Sequence, residues 1–163
     1  MVDDMSFNRI YHLPVISKKK RLVKMSDILY YINCKDVPTS MTMGKRKHYL
    51  TSNMFYGGVH WMVRKKVVEM CKLYLLSEIK EPLKQVNPSK LPIKIEIVYH
   101  SARHTFDLDN KSSFWLKVLL DMIKEKSVVP DDNVKYISEI TSKYKQLGKK
   151  ENDILEIFLY AVK

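Results

Sequence analysis

From Val59 onward the apolar residues Val63, Val67, Met70 and Tyr74 recur at helical spacing, with Arg64, Lys65 and Lys72 off that stripe. The pattern predicts a helix of about twenty residues that ends before Pro82. Gly57-Gly58 marks the break ahead of it, and Glu81 to Pro92, rich in proline, reads as a loop. Ile93, Ile95, Ile97 and Tyr99 then alternate with Lys94, Glu96 and Val98, a period of two that predicts a strand with at least one buried face. That strand leads to Asp107-Leu108-Asp109-Asn110. From Lys111 to Lys126 the residues Trp115, Val118, Leu119 and Met122 form a second helical stripe, with Asp109 or Asn110 as its N-cap. After Val128-Val129-Pro130-Asp131-Asp132, alternation resumes from Val134 to Tyr144, breaks near Gly148 and returns from Ile154 to Val162. This reads as a C-terminal hairpin.

The first 45 residues are less regular. A basic run, Lys18 to Arg21, precedes Ile28-Leu29-Tyr30-Tyr31-Ile32, which fits a short strand or one helical turn. Residues 1–45 are read as an accessory segment and 46–163 as the main domain. With 163 residues and 45% hydrophobic content, the chain has enough apolar material for one core. It holds no run long and apolar enough to span a bilayer, and residues 1–10 do not resemble a secretory signal, so a soluble, cytoplasmic protein with no membrane contact is expected. Cys34 and Cys71 lack a Cys-x-x-Cys spacing, which points away from a disulfide framework or a structural zinc site.

Charge changes the picture more than composition does. The formal net charge is +11. Lys and Arg stand against Asp and Glu at 7 to 4 over residues 1–40, 11 to 4 over 41–100, and 11 to 10 over 101–163. A basic middle attracts phosphate polymers, while most of the acids fall in the last third. Net charge by itself names no activity.

The candidate chemistry lies in two acidic loops. Alternate residues of an extended chain point the same way, so Asp107 and Asp109 suit joint chelation. A helix that leaves after Asn110 and returns by Pro130 is expected to bring Asp131 or Asp132 beside them. Such an oxygen cluster suits Mg²⁺, with Mn²⁺ as a substitute, and a metal there would activate water and stabilise charge on a phosphodiester. In isolation each motif also fits an ordinary cap or turn. The combination with a basic chain favours a metal-using nuclease, because carboxylates facing DNA repel it unless a cation intervenes.

Lys117 lies four residues before Asp121, which fits either an exposed helical ion pair or a lysine aimed at the carboxylates. The stretch Asn53 to Lys66 mixes aromatic residues, glycine and cations, and nominates Asn53, His60, Arg64, Lys65 and Lys66 for DNA contacts. A glycine turn followed by a helix with a solvated basic face accounts for the same stretch.

These motifs in this order resemble the RusA-like Holliday junction resolvases common in phages and prophages. The resemblance runs over residues 47–162, through Asp107-Leu108-Asp109-Asn110, Lys117 before Asp121, Asp131-Asp132 ahead of a hydrophobic strand, and the Asn53–Lys66 stretch. It implies a small α/β (α+β) fold, a mixed sheet packed with helices, acting as a homodimer on four-way DNA junctions and making paired, symmetrical cuts. By position, Asp107, Asp109 and Asp132 become metal-binding and catalytic carboxylates, Lys117 the catalytic lysine, and Asn110 and Asp131 auxiliary neighbours. Two departures accompany the resemblance. The Asn110–Lys117 interval is longer than the commonest form of the motif, which leaves Lys111 as a partial substitute, and residues 1–45 have no counterpart. The alternative function is a DNA-binding or protein-interaction module without turnover.

Overall fold

The structure, a computed structural model, describes residues 28–103, 107–148 and 151–162. In chain order these form β1 (Ile28–Cys34), β2 (Ser40–Met43), β3 (Arg46–Tyr49), α1 (Asn53–Tyr56), α2 (Trp61–Ser77), β4 (Ile93–Ser101), α3 (Leu108–Glu125), β5 (Ile137–Gln146) and β6 (Ile154–Ala161). The basic run Lys18 to Arg21 lies outside the described residues.

Four strands make one mixed sheet in the order β1-β6-β4-β5, and β2 and β3 pair as a separate hairpin. The fold is therefore of the mixed α+β class. Its central strand is the one with the cleanest alternation: Ile93, Ile95, Ile97 and Tyr99 are all buried. Val98, on the opposite face, is buried as well, as suits a strand with a neighbour on each side. β5 runs parallel to β4, with Ser101 opposite Gln146, and β6 runs antiparallel to β4.

The expected C-terminal hairpin does not form. β5 and β6 flank β4 on opposite sides and never pair with each other. The reason lies in the connection from β4. A helix between two strands returns the chain to where the first strand began, so the second enters parallel to the first. β5 thus takes one edge of β4 and leaves the other to β6. The segment read as accessory up to residue 45 supplies β1, which pairs with β6 from Ile28 to Cys34, and β2, half of the separate hairpin.

α3 covers one sheet face with the predicted stripe. Phe114, Trp115, Val118, Leu119, Met122 and Ile123 are buried, each such side chain contributing about 1.5–3 kcal/mol of transfer free energy. Phe114 stacks on Phe55 at 5.5 Å between ring centroids, and Trp115 meets Tyr74 of α2 at 5.8 Å. α2 ends at Ser77, short of Pro82 as the pattern predicted. The break before α2 is set by backbone: a Cβ on Gly57 would sit 2.5 Å from the Asn53 carbonyl oxygen, and Gly58 takes φ +67°. Among the described residues no helix is long and apolar enough to cross a membrane.

Candidate active site

Asp107 is the N-cap of α3, in place of the expected Asp109 or Asn110. Its carboxylate accepts the Asn110 backbone N–H at 3.1 Å and a second bond from the Asn110 side-chain amide. Extended backbone at Asp107 (φ −82°, ψ 90°) aims the carboxylate back over the helix start. Asp109 falls within the first turn, where negative charge is favoured by the helix dipole. The helix begins at Leu108 and not after Asn110, so the extended alternation expected to align Asp109 with Asp107 does not continue through this pair. Both side chains are exposed, and among the described residues no ion pair engages either. The two Asn110 bonds hold the Asp107 carboxyl below the usual carboxylate range.

Asn110 is itself anchored. Its side-chain oxygen accepts from the Ser52 hydroxyl, and its backbone carbonyl accepts the Ser52 N–H at 2.9 Å. The segment before α1 therefore clamps the acidic end of α3. Lys111, the next residue, turns the other way and donates to the Thr39 carbonyl at 3.3 Å. Burial, reinforced by Arg103 and opposed by Asp153, pushes its ammonium below the usual lysine range. A polar cleft of about 570 Å³ opens between the ends of β1 and β4, lined in part by Asp36, Thr39, Arg103, Glu151 and Asp153.

Asp131 and Asp132 are not part of this end. Lys124, in the last turn of α3, binds Asp131 at 2.5 Å and Asp132 at 3.5 Å. From Asp107 to Lys124 the helix advances about 25 Å, so the expected return of the second carboxylate pair beside the first does not happen within one chain. Parallel pairing dictates this. Residues that follow β4 lie at the Ser101 end of the sheet, and residues that precede β5 lie at the Ile93 end, where Ile93 N–H donates to the Tyr136 carbonyl at 2.8 Å. Among the described residues no group of three or more carboxylate, histidine or cysteine side chains stands ready to hold a metal. Lys124, with its hydrogen bond, holds the Asp131 carboxyl down to about 2.

Lys117 pairs with Asp121 at 2.8 Å on the exposed side of α3, roughly 15 Å along the helix from Asp107. Of the nominated DNA-contact residues, Asn53, His60, Lys65 and Lys66 are exposed and Arg64 is half-buried. His60 caps α2, its Nδ1 accepting the Met62 N–H at 3.3 Å. Arg64 donates to the Phe55 carbonyl at 2.5 Å and so ties α2 to α1. Sequence reasoning missed Ser52 and Lys124. Lys124 was open to detection as a cation in the last helical turn shortly before two aspartates, whereas Ser52 carries no local signal of its contact 58 residues away.

Fold and site together define a small mixed α+β domain with an exposed pair of aspartates at the helix N-terminus that follows its central strand. Neither a known protein family nor a curated protein sequence matches the chain.

Proposed function

We propose that the protein is a divalent-metal-dependent endonuclease acting on branched DNA, with each metal site completed by two chains. The observation that carries this reading is the exposed pair Asp107 and Asp109, free of cation partners among the described residues, in a chain of net charge +11. Their oxygen donors fit Mg²⁺ or Mn²⁺, which when bound would lower the pKa of a water and neutralise charge on the scissile phosphate. Asp107 and Asp109 would hold the ion from one chain.

The remaining carboxylates are at the far end of α3, so a homodimer with its two-fold axis across the middle of that helix would set Asp131 and Asp132 of one chain against Asp107 and Asp109 of the other. Two such sites related by a two-fold suit paired, symmetrical nicks in a four-way junction, the substrate implied by the RusA-like pattern, inside a bacterial cell. The test is incubation with a synthetic four-way junction and a linear duplex, with and without Mg²⁺. Paired nicks in the junction alone are expected, and Asp107→Asn should abolish them while junction binding persists. No Mg²⁺-dependent nicking of either DNA would overturn the reading.

A second reading is favoured by the Lys124 contacts, which already neutralise Asp131 and Asp132. On it the chain binds DNA without cutting. Calorimetry with Mn²⁺ separates the two, since only the nuclease has a carboxylate-dependent metal site.

A further inference from the structure

At the start of α2 the large apolar side chains face outward. Trp61, Met62 and Met70 are 61%, 51% and 47% exposed. Together with Met43 from the β2–β3 hairpin they floor a shallow groove of about 540 Å³, edged by Lys65 and Lys66. A contiguous apolar surface of this kind marks a site of contact. The hairpin tip beside Met43 adds Lys45, Arg46 and Lys47, all exposed. From residue 44 to residue 70 six Lys and Arg side chains stand against one carboxylate, Glu69. The Trp61 ring is also held in place: it stacks on His60 at 6.0 Å, and His60 is fixed as the cap of α2.

We propose that this groove is a stacking platform for unpaired bases of single-stranded DNA, with Trp61 as the stacking ring and Lys65, Lys66 and the hairpin cations on the phosphates. The inference rests on the reading of the chain as a DNA-acting protein and names the form of DNA that this surface takes. Every base has a flat π face, so an exposed indole flanked by cations binds single strands with little regard to sequence. In a duplex those faces are already stacked on one another, and the apolar floor would gain nothing. A second copy of the chain is disfavoured because two such cationic rims would face each other. An acidic peptide would satisfy the lysines and leave the indole without a planar partner.

The chain has two tryptophans, and Trp115 is fully buried, so ligand quenching of tryptophan fluorescence reports on Trp61. Full-length protein is titrated in EDTA with an oligothymidylate, a blunt duplex, a four-way junction and polyglutamate. Quenching by oligothymidylate alone is expected. With binding of the variants read by fluorescence anisotropy of end-labelled DNA, Trp61→Ala should weaken oligothymidylate binding by about tenfold and leave duplex and junction binding and the circular dichroism spectrum unchanged, and Trp61→Phe should restore most of the loss. Equal oligothymidylate binding by wild type and Trp61→Ala overturns the proposal, as does polyglutamate competing as well as the oligonucleotide. A dimer lost on Trp61→Ala, seen by sedimentation, with oligothymidylate binding intact would assign the groove to a second copy. If duplex and junction bind but oligothymidylate does not, the platform fails alone; if no DNA binds, the nuclease reading fails with it. Quenching by oligothymidylate without Mg²⁺-dependent nicking leaves the platform standing and removes the nuclease.

Discussion

Ser52 and Asn110, far apart in sequence, share two hydrogen bonds: the Ser52 N–H donates to the Asn110 carbonyl at 2.9 Å, and its hydroxyl donates to the Asn110 side-chain oxygen. The amide at the other end of that side chain donates to Asp107. Asn110 thus transmits the position of one segment to a candidate metal ligand in another. Asn110→Ala removes both side-chain bonds and should cost about 1–2 kcal/mol in urea denaturation. It should also let the Asp107 carboxyl return upward toward its ordinary value of 3.8, observable by carbon NMR titration. An unchanged Asp107 titration would show that Asn110 does not hold the carboxylate.

Completion of the site by two chains has a distinctive genetic signature. Asp107→Asn and Asp132→Asn chains should each be inactive alone. Mixed and refolded together they should recover single nicks, because a heterodimer keeps one site with both wild-type aspartates. A site built within one chain gives no recovery.

The Lys124–Asp131 contact predicts a local pH response. Asp131 has a folded pKa depressed to about 2 from 3.8, so its contribution to stability is fully present above the ordinary value and is lost as the pH falls toward 2. Lys124→Met should raise the Asp131 pKa toward 3.8 by NMR titration. It should also free both aspartates for metal, measured as tighter Mn²⁺ binding.

Lys72 of α2 is almost wholly buried and donates to Glu69 at 3.0 Å and to Glu125 of α3. Burial opposes its charge, but the two glutamates outweigh that and hold its ammonium above the usual lysine range. Substituting both Glu69→Gln and Glu125→Gln should leave a buried cation without a counter-charge and cost about 3 kcal/mol. Lys72→Met keeps the packed stem and removes the charge, so it should fall within about 1 kcal/mol of wild type. Thermal denaturation of the two variants decides, and equal losses would contradict this account.

The basic residues of α2 separate by salt dependence. Lys65→Ala and Lys66→Ala should each weaken binding to all DNA and flatten the log K against log salt slope by about 1. Arg64→Ala should lower stability through loss of the Phe55 contact and leave that slope nearly unchanged.

Much of the fold is legible in local pattern. The alternation from Ile93 to Tyr99 identified a strand, the Trp115, Val118, Leu119 and Met122 stripe identified α3, and Asp107 does stand ahead of that helix, whereas Asp109, read as extended, lies inside its first turn. Periodicity reports which face of an element is buried, and that is a property of consecutive residues. It carries no information about the element's partner. The β5 pattern fitted a hairpin with β6 as well as a parallel strand beside β4. Ile28 to Ile32 left strand and helical turn open until β6 supplied an edge to pair with.

The aspartates divide along the same line. That a capping residue within Asp107–Asn110 starts a helix is determined by the sequence itself, but that the cap is Asp107 and that Asp109 lies inside the first turn was decided by the structure. That Asp131 and Asp132 lie about 25 Å away, held by Lys124, was decided only in three dimensions. Parallel pairing of β4 with β5 puts the end of one strand and the start of the next at opposite ends of the sheet, and no local spacing records that choice.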